Sequence, residues 1–199
     1  KISVVSEWGF AEGCSSPKTV RTDCPNLCII GDYAFADCTG LTALSVPAAV
    51  TTIGEAAFSN CSGLLSIEVD PQNRDFYSLQ DCLMTKDKVL RFGCRNSVVP
   101  DGTTAVGAYA FNGCKKLTAV TLPGTVTSLG TYAFGGCTGL DGVFIPSSVR
   151  VIEDYAFADV RPEFKARCQA ASKPSGWGSR WNWWSHNNKQ ILVTWKSTR

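Results

Sequence analysis

A repeat solenoid, of α/β type or mainly β, is the fold class this sequence predicts, and two observations predict it. The first is self-similarity, since four segments align without gaps. They are Ile30-Gly31, Ala34-Phe35, Cys38, Leu41, Leu44, Val46-Pro47, Val50; then Ile53-Gly54, Ala57-Phe58, Cys61, Leu64, Ile67, Val69. After a longer interval come Val106-Gly107, Ala110-Phe111, Cys114, Leu117, Val120, Leu122-Pro123, Val126; then Leu129-Gly130, Ala133-Phe134, Cys137, Leu140, Val143, Ile145-Pro146, Val149. A fifth begins at Ile152 with Ala156-Phe157 and fades. Starts at 30 and 53, and at 106, 129 and 152, give a period of 23 residues. The second observation is alternation. In Leu44-Ser45-Val46 and its counterparts the outer two residues are apolar, as on one face of a strand.

Each coil is therefore expected to give one short strand, near 44–46, 67–69, 120–122 and 143–145. Stacked coils place these strands side by side in one parallel sheet along a right-handed superhelix. Proline after the strand has no N–H to donate and ends the pairing. The Gly-x-x-Ala-Phe stretch turns the chain back, with alanine where coils come close and phenylalanine in the interior. No coil can bury its own apolar face, so stability comes from stacking neighbours. Cys38, Cys61, Cys114 and Cys137 share one repeat position and are expected as a buried row of free thiols, each behaving as a small hydrophobe.

The interval between the second and third repeats exceeds one period, and residues 71–97 hold the excess. Tyr77 to Met84 and Val89 to Phe92 suggest two strands around Lys86-Asp87-Lys88, a hairpin island inside one solenoid. Cys82 and Cys94 flank it, as a disulfide or as free thiols. Cys14, Cys24 and Cys28 admit one disulfide or none, and their spacings fit no zinc pattern. The expected organisation is one domain over residues 1–199: an N-terminal cap over 1–29, repeats over 30–160 with the island at 71–97, and a C-terminal cap over 161–199. Ile2, Val4, Val5, Trp8 and Phe10 can cover one end. Trp177, Trp181 and Trp195, with a last strand near Ile191–Trp195, can cover the other.

Composition narrows the function classes. Of the residues 44% are hydrophobic and 18% charged, enough apolar content for a sizeable core. The net charge of +2 is too balanced to argue for nucleic acid or an anionic membrane. No apolar run nears the ~20 residues of a membrane span. No signal peptide opens the sequence, so export implies a longer precursor. A single histidine, His186, in a polar stretch before the last strand leaves little for a nucleophile–base pair. No phosphate loop, metal cluster or paired carboxylates stand out, so no catalytic, metal or cofactor residues are expected. Asn60-Cys61-Ser62 fits a glycosylation sequon only incidentally.

The string Ile-Gly-x-x-Ala-Phe-x-x-Cys-x-x-Leu-x-x-Leu-x-Val-Pro, over roughly residues 27–168, resembles the BspA-like leucine-rich-repeat family, the Treponema pallidum type. The period also lies in the leucine-rich-repeat range. Asp81-Cys82-Leu83-Met84 with Gly93-Cys94, and Ser172-Lys173-Pro174-Ser175-Gly176-Trp177, resemble segments of surface proteins of gut Firmicutes. The first thirty residues carry no such resemblance. What the resemblance implies is a secreted or cell-wall-attached bacterial protein whose relatives include binders of host matrix or of neighbouring bacteria, with no catalytic motif.

The expected function is accordingly protein binding or adhesion, with a host extracellular-matrix or bacterial surface protein as partner. The candidate surface is the outward row of the sheet, Ser45, Glu68, Thr121 and Phe144, preceded by Ala43, Ser66, Ala119 and Gly142. Most of these side chains are small, which equally suits a passive spacer. The clustered tryptophans of the tail allow a third reading, a carbohydrate-binding module.

Overall fold

The computed structural model describes residues 27–185 and 189–198, together with the backbone of two short strands before them. The described residues form strands and turns, without a helix, in a β-solenoid of about seven turns. The expected inward row is present. β2 (Thr19–Arg21), β4 (Ala43–Val46) and β6 (Ser66–Val69) form a parallel sheet in which Leu44 lies beside Ile67 and Ser45 beside Glu68. Further along, β12 (Gly142–Ile145), β14 (Lys165–Cys168) and β15 (Leu192–Thr194) form another, with Val143 beside Ala166 and Phe144 beside Arg167.

Each coil also carries a second strand of only two residues. β1 (Val4–Val5), β3 (Ile29–Ile30) and β5 (Thr52–Ile53) stack in parallel, as do β10 (Ala105–Val106), β11 (Ser128–Leu129) and β13 (Val151–Ile152). The isoleucine of each Ile-Gly pair points into the core and its predecessor outward. The glycine then lets neighbouring coils touch: a Cβ on Gly130 would lie 2.4 Å from the backbone nitrogen of Ala108. A third line of contact joins the turns, where Phe35 N–H donates to Ala57 O at 2.8 Å and Phe111 N–H to Ala133 O at 2.8 Å.

Two positions in each turn are left-handed. One holds Asp37, Asn60, Gly113, Gly136 and Asp159, residue types that tolerate this conformation. The other holds Tyr33, Ala56, Tyr109, Tyr132 and Tyr155 at φ between 51° and 61°. Tyr109, Tyr132 and Tyr155 stack at 5.4 and 5.5 Å, a column that covers the strained turns. Beneath it the phenylalanines of the repeat stack in the core, Phe35 on Phe58 at 5.5 Å and Phe134 on Phe111 and Phe157 at 5.2 and 5.4 Å.

The island differs from the expected hairpin. It has three strands, β7 (Phe76–Leu79), β8 (Cys82–Thr85) and β9 (Val89–Gly93). The run from Tyr77 to Met84 is broken because Gln80 and Asp81 both take positive φ, 53° and 57°, the backbone of a tight two-residue hairpin turn. β9 then pairs in parallel with β10, Leu90 beside Val106, so the island joins the two-residue stack as a six-stranded sheet.

The island also divides what was expected as one sheet. The longer strands fall into two sheets on either side of it, and the segment 120–122 contributes only a bridge between Thr121 and Phe144. The physical reason lies at β6. Its Val69 N–H donates to Ser78 Oγ of the island at 3.1 Å, and Asn96 of the island donates to Leu65 O, so the third coil cannot pair there. The hydrophobic core is split in the same place into two clusters, one centred on residues 27–76 and one on residues 99–191. The turn line runs through, as Asn60 N–H donates to Asn112 O at 2.9 Å.

Asn73 anchors the start of the island from a buried position. Its amide donates to Pro47 O and Val50 O, both at 2.8 Å, and its carbonyl accepts from the N–H groups of Asp75 and Phe76. At the other end of the chain the tail makes one more coil. Trp177 bridges to Ile152, β15 pairs with β14, and Trp181 lies against Phe157 with centroids 6.1 Å apart.

Candidate functional site

The outward row expected from the repeats exists, in two parts. Ser45 and Glu68 are exposed neighbours in register on β4 and β6. Beyond the island, exposed Thr121 bridges to half-buried Phe144, which continues in register to Arg167 of β14 and Thr194 of β15. Coil stacking thus brings Ser45 together with Glu68, and Thr121 with Phe144, and the island keeps the two pairs apart. The preceding row continues from Gly142 to Lys165 and Leu192.

Both strands were expected, one over Phe164–Cys168 and the last near Ile191–Trp195, but Lys165, Arg167, Leu192 and Thr194 were not assigned to the outward row because the repeat consensus fades after Phe157. The coil that follows places its inward aromatic, Phe164, one residue beyond the strict period. The signal was nevertheless present, since 23 residues from Gly142 and Phe144 lead to Lys165 and Arg167. In β14, Lys165 and Arg167 face outward while Ala166 and Cys168 are buried.

The thiol row is buried as expected. Cys38, Cys61, Cys114 and Cys137 all lie buried inside the core. They are not merely small hydrophobes, because Cys61 donates to Phe35 O and Cys137 to Phe111 O, each at 3.1 Å, tying one coil to the next. Burial pushes the Cys61 and Cys114 thiols well up and Cys137 up to about 12. Cys82 and Cys94, the two flanking the island, are both buried free thiols. Cys82 is opposite Gly93, so its neighbour Cys94 turns to the other side and into the other core cluster. Cys28 is half-buried, while Cys14, Cys24 and His186 lie outside the described residues.

The tail tryptophans are placed for covering the last coil. Trp177 and Trp181 are 3% and 2% exposed and pack edge to face at 4.8 Å, so neither offers a ring face to a sugar. Trp177 Nε1 donates to Val149 O at 3.3 Å, and Trp195 lies half-buried against Trp177 at 5.7 Å.

Comparison with known proteins assigns the repeat. The profile described as the BspA type leucine rich repeat region matches in six copies, over residues 2–86 and 92–163. The chain belongs to the BspA-type leucine-rich-repeat family. The match begins well before residue 27, so the first thirty residues, for which no resemblance was expected, contribute repeat sequence as well. The pairing of β1 and β2 agrees with this.

Among solved structures this BspA-type chain is similar to the pneumococcal vaccine antigen PcpA. The TM-score is 0.62 at 20% identity, covering 87% of this chain and 49% of that one. It is also similar to a leucine rich cell surface protein from Faecalibacterium prausnitzii, at TM-score 0.59 and 21% identity, covering 100% of this chain and 58% of that one. The chain thus spans about half the length of these structures, and at such identities they support the fold alone. No curated protein matches the chain. The leucine-rich repeat is a protein-interaction fold, and among the described residues no helix is long and apolar enough to cross a membrane.

Proposed function

We propose that this chain is a non-catalytic binding module, secreted or attached to a bacterial cell surface, that adheres to a protein of the host matrix or of a neighbouring cell. The observation that carries the reading is the outward row. Ser45 and Glu68, and then Thr121 and Phe144, present side chains in register on parallel-paired backbone. Repeat proteins use such extended faces for partners, because a stack of coils offers a long surface at little conformational cost. The similar Faecalibacterium prausnitzii structure is that of a cell surface protein, which agrees with the proposed location as an analogy of fold. Residues 1–29 and 161–199 are proposed to close the two ends of a single domain.

A passive spacer remains the second reading, favoured by the small side chains of Ser45 and Thr121. Saturable association of the isolated chain with matrix proteins or bacterial cells supports the binding reading. No association at any concentration tested supports the spacer. A turnover that disappears on changing His186 would reverse the non-catalytic assignment. The burial of Trp177 and Trp181 speaks against the tail as a sugar platform.

A further inference from the structure

Charge is distributed unevenly along the solenoid. Carboxylates outnumber cations over residues 27–104, whereas cations outnumber carboxylates two to one over residues 105–198. The whole-chain balance hides this polarity. On the sheet face it concentrates at β14, where Lys165 and Arg167 project from alternate positions of one strand. Their Cα atoms are two residues apart, about 7 Å in an extended chain. Among the described residues the ion pairs on this part of the chain are those of Arg161 with Asp141 and Glu163, and neither Lys165 nor Arg167 has a carboxylate partner. Apolar surface flanks them on both sides. Phe144 is beside Arg167 on β12, and Leu192, 56% exposed, is beside Lys165 on β15.

We propose that this C-terminal half of the sheet face is the docking site of an extended acidic protein segment, and that Lys165 and Arg167 are its specificity determinants. The inference rests on the binding reading above and names the chemistry of its partner. An extended chain shows alternate side chains on one side at the same spacing of about 7 Å, so carboxylates at positions i and i+2 meet both cations together. Phe144 and Leu192, on the strands to either side, take apolar side chains at positions i−2 and i+4, which share the face of those carboxylates, since the residue between them points away. That mixture favours a peptide over a sulfated polysaccharide, which would use the cations and leave the apolar flanks unused. A second copy of this chain is the other acidic candidate, through Glu68 and Asp70 of the N-terminal half.

The test is fluorescence anisotropy of the full 199-residue chain with a labelled peptide that carries glutamates at positions i and i+2 and leucines at i−2 and i+4, at low and moderate salt. The expected result is binding that weakens with salt and that weakens about tenfold in the Lys165→Ala/Arg167→Ala double variant. The charge-matched control Lys115→Ala/Lys116→Ala removes the same charge from the turn that precedes the sheet and is expected to bind as the parent does. No binding by the parent, or equal loss in both double variants, overturns the proposal. So does tight binding of a heparin oligosaccharide without the peptide, or a dimer in sedimentation that Glu68→Gln dissociates. The binding reading is checked separately. If the chain still associates saturably with a matrix protein while ignoring the acidic peptide, only the partner chemistry fails.

Discussion

Raising the pH above 9 should weaken this protein in proportion to its buried thiols, and Cys137 gives the cleanest measure of one of them. Cys137 is fully buried and burial holds its thiol up to about 12, against an ordinary value of 9.0. The sign follows from proton binding. Between 9 and 12 the folded thiol keeps its proton while the unfolded one loses it, so the unfolded state binds fewer protons and stability falls as pH rises. At pH 8 the effect is nearly absent. At pH 10, one unit above the ordinary value, it amounts to about 1.4 kcal/mol for one thiol. Cys137→Ala removes the titrating group, together with the bond to Phe111 O, for a pH-independent cost of about 1 kcal/mol. Urea melts of parent and variant at pH 8 and pH 10, under reducing conditions, separate the two effects. The parent should lose about 1.4 kcal/mol more than the variant between the two pH values. Tyrosine and lysine titrations are common to both proteins and cancel in the difference. An identical pH dependence in the two proteins would show that Cys137 is not held neutral in the core.

Three other outcomes follow from the same structure. Asn73→Ala leaves the Val50 carbonyl and the N–H groups of Asp75 and Phe76 without their side-chain partner, and should cost about 3 kcal/mol in a denaturant melt; a cost near zero would mean that water replaces the amide. Deleting residues 172–199 uncovers the coil under Trp177 and Trp181 and should lower the melting temperature sharply or cause aggregation, while an unchanged melt would show that the tail does not cover the core. In the native protein Cys38, Cys61, Cys114 and Cys137 should resist a thiol reagent until denaturant is added, and prompt labelling observed by mass spectrometry would contradict their burial.

The inward side of the fold was legible in the sequence, because each of its positions is set by a requirement that repeats. Leu44, Ile67 and Val143 must face the core, and Phe35, Phe58, Phe111, Phe134 and Phe157 must fill it, so their spacing survives variation around them. The two-residue strands were not legible. Ile30 and Ile53 each contribute one inward residue, and alternation needs more than that to show. The tyrosine column was missed for another reason: it occupies left-handed positions, where propensity argues against an aromatic residue and stacking along the column supplies the compensation. The division of the sheet depended on Ser78 and Asn96 meeting β6, contacts between residues with no repeat relationship.

The candidate site was legible only where the consensus holds. Ser45, Glu68, Thr121 and Phe144 were placed by arithmetic on the repeat. Lys165 and Arg167 belong to a coil whose apolar markers have drifted, and summing charge over the whole chain concealed their neighbourhood. Their register with Gly142 and Phe144 became visible once β14 was seen paired with β12.

Binding through the outward sheet face is the central claim, and a paired titration tests it most directly. Ser45 and Thr121 are exposed, one on each side of the island, so Ser45→Glu/Thr121→Glu places bulk and negative charge on both parts of the face without disturbing the core. Parent and variant are titrated side by side over immobilised matrix proteins and bacterial cells, with matching circular dichroism confirming that both are folded. The expected result is saturable binding by the parent and at least about tenfold weaker binding by the variant, the scale set by blocking the centre of an interface. Equal binding by the two would place the partner on another surface, and absence of binding by the parent would leave the solenoid a spacer.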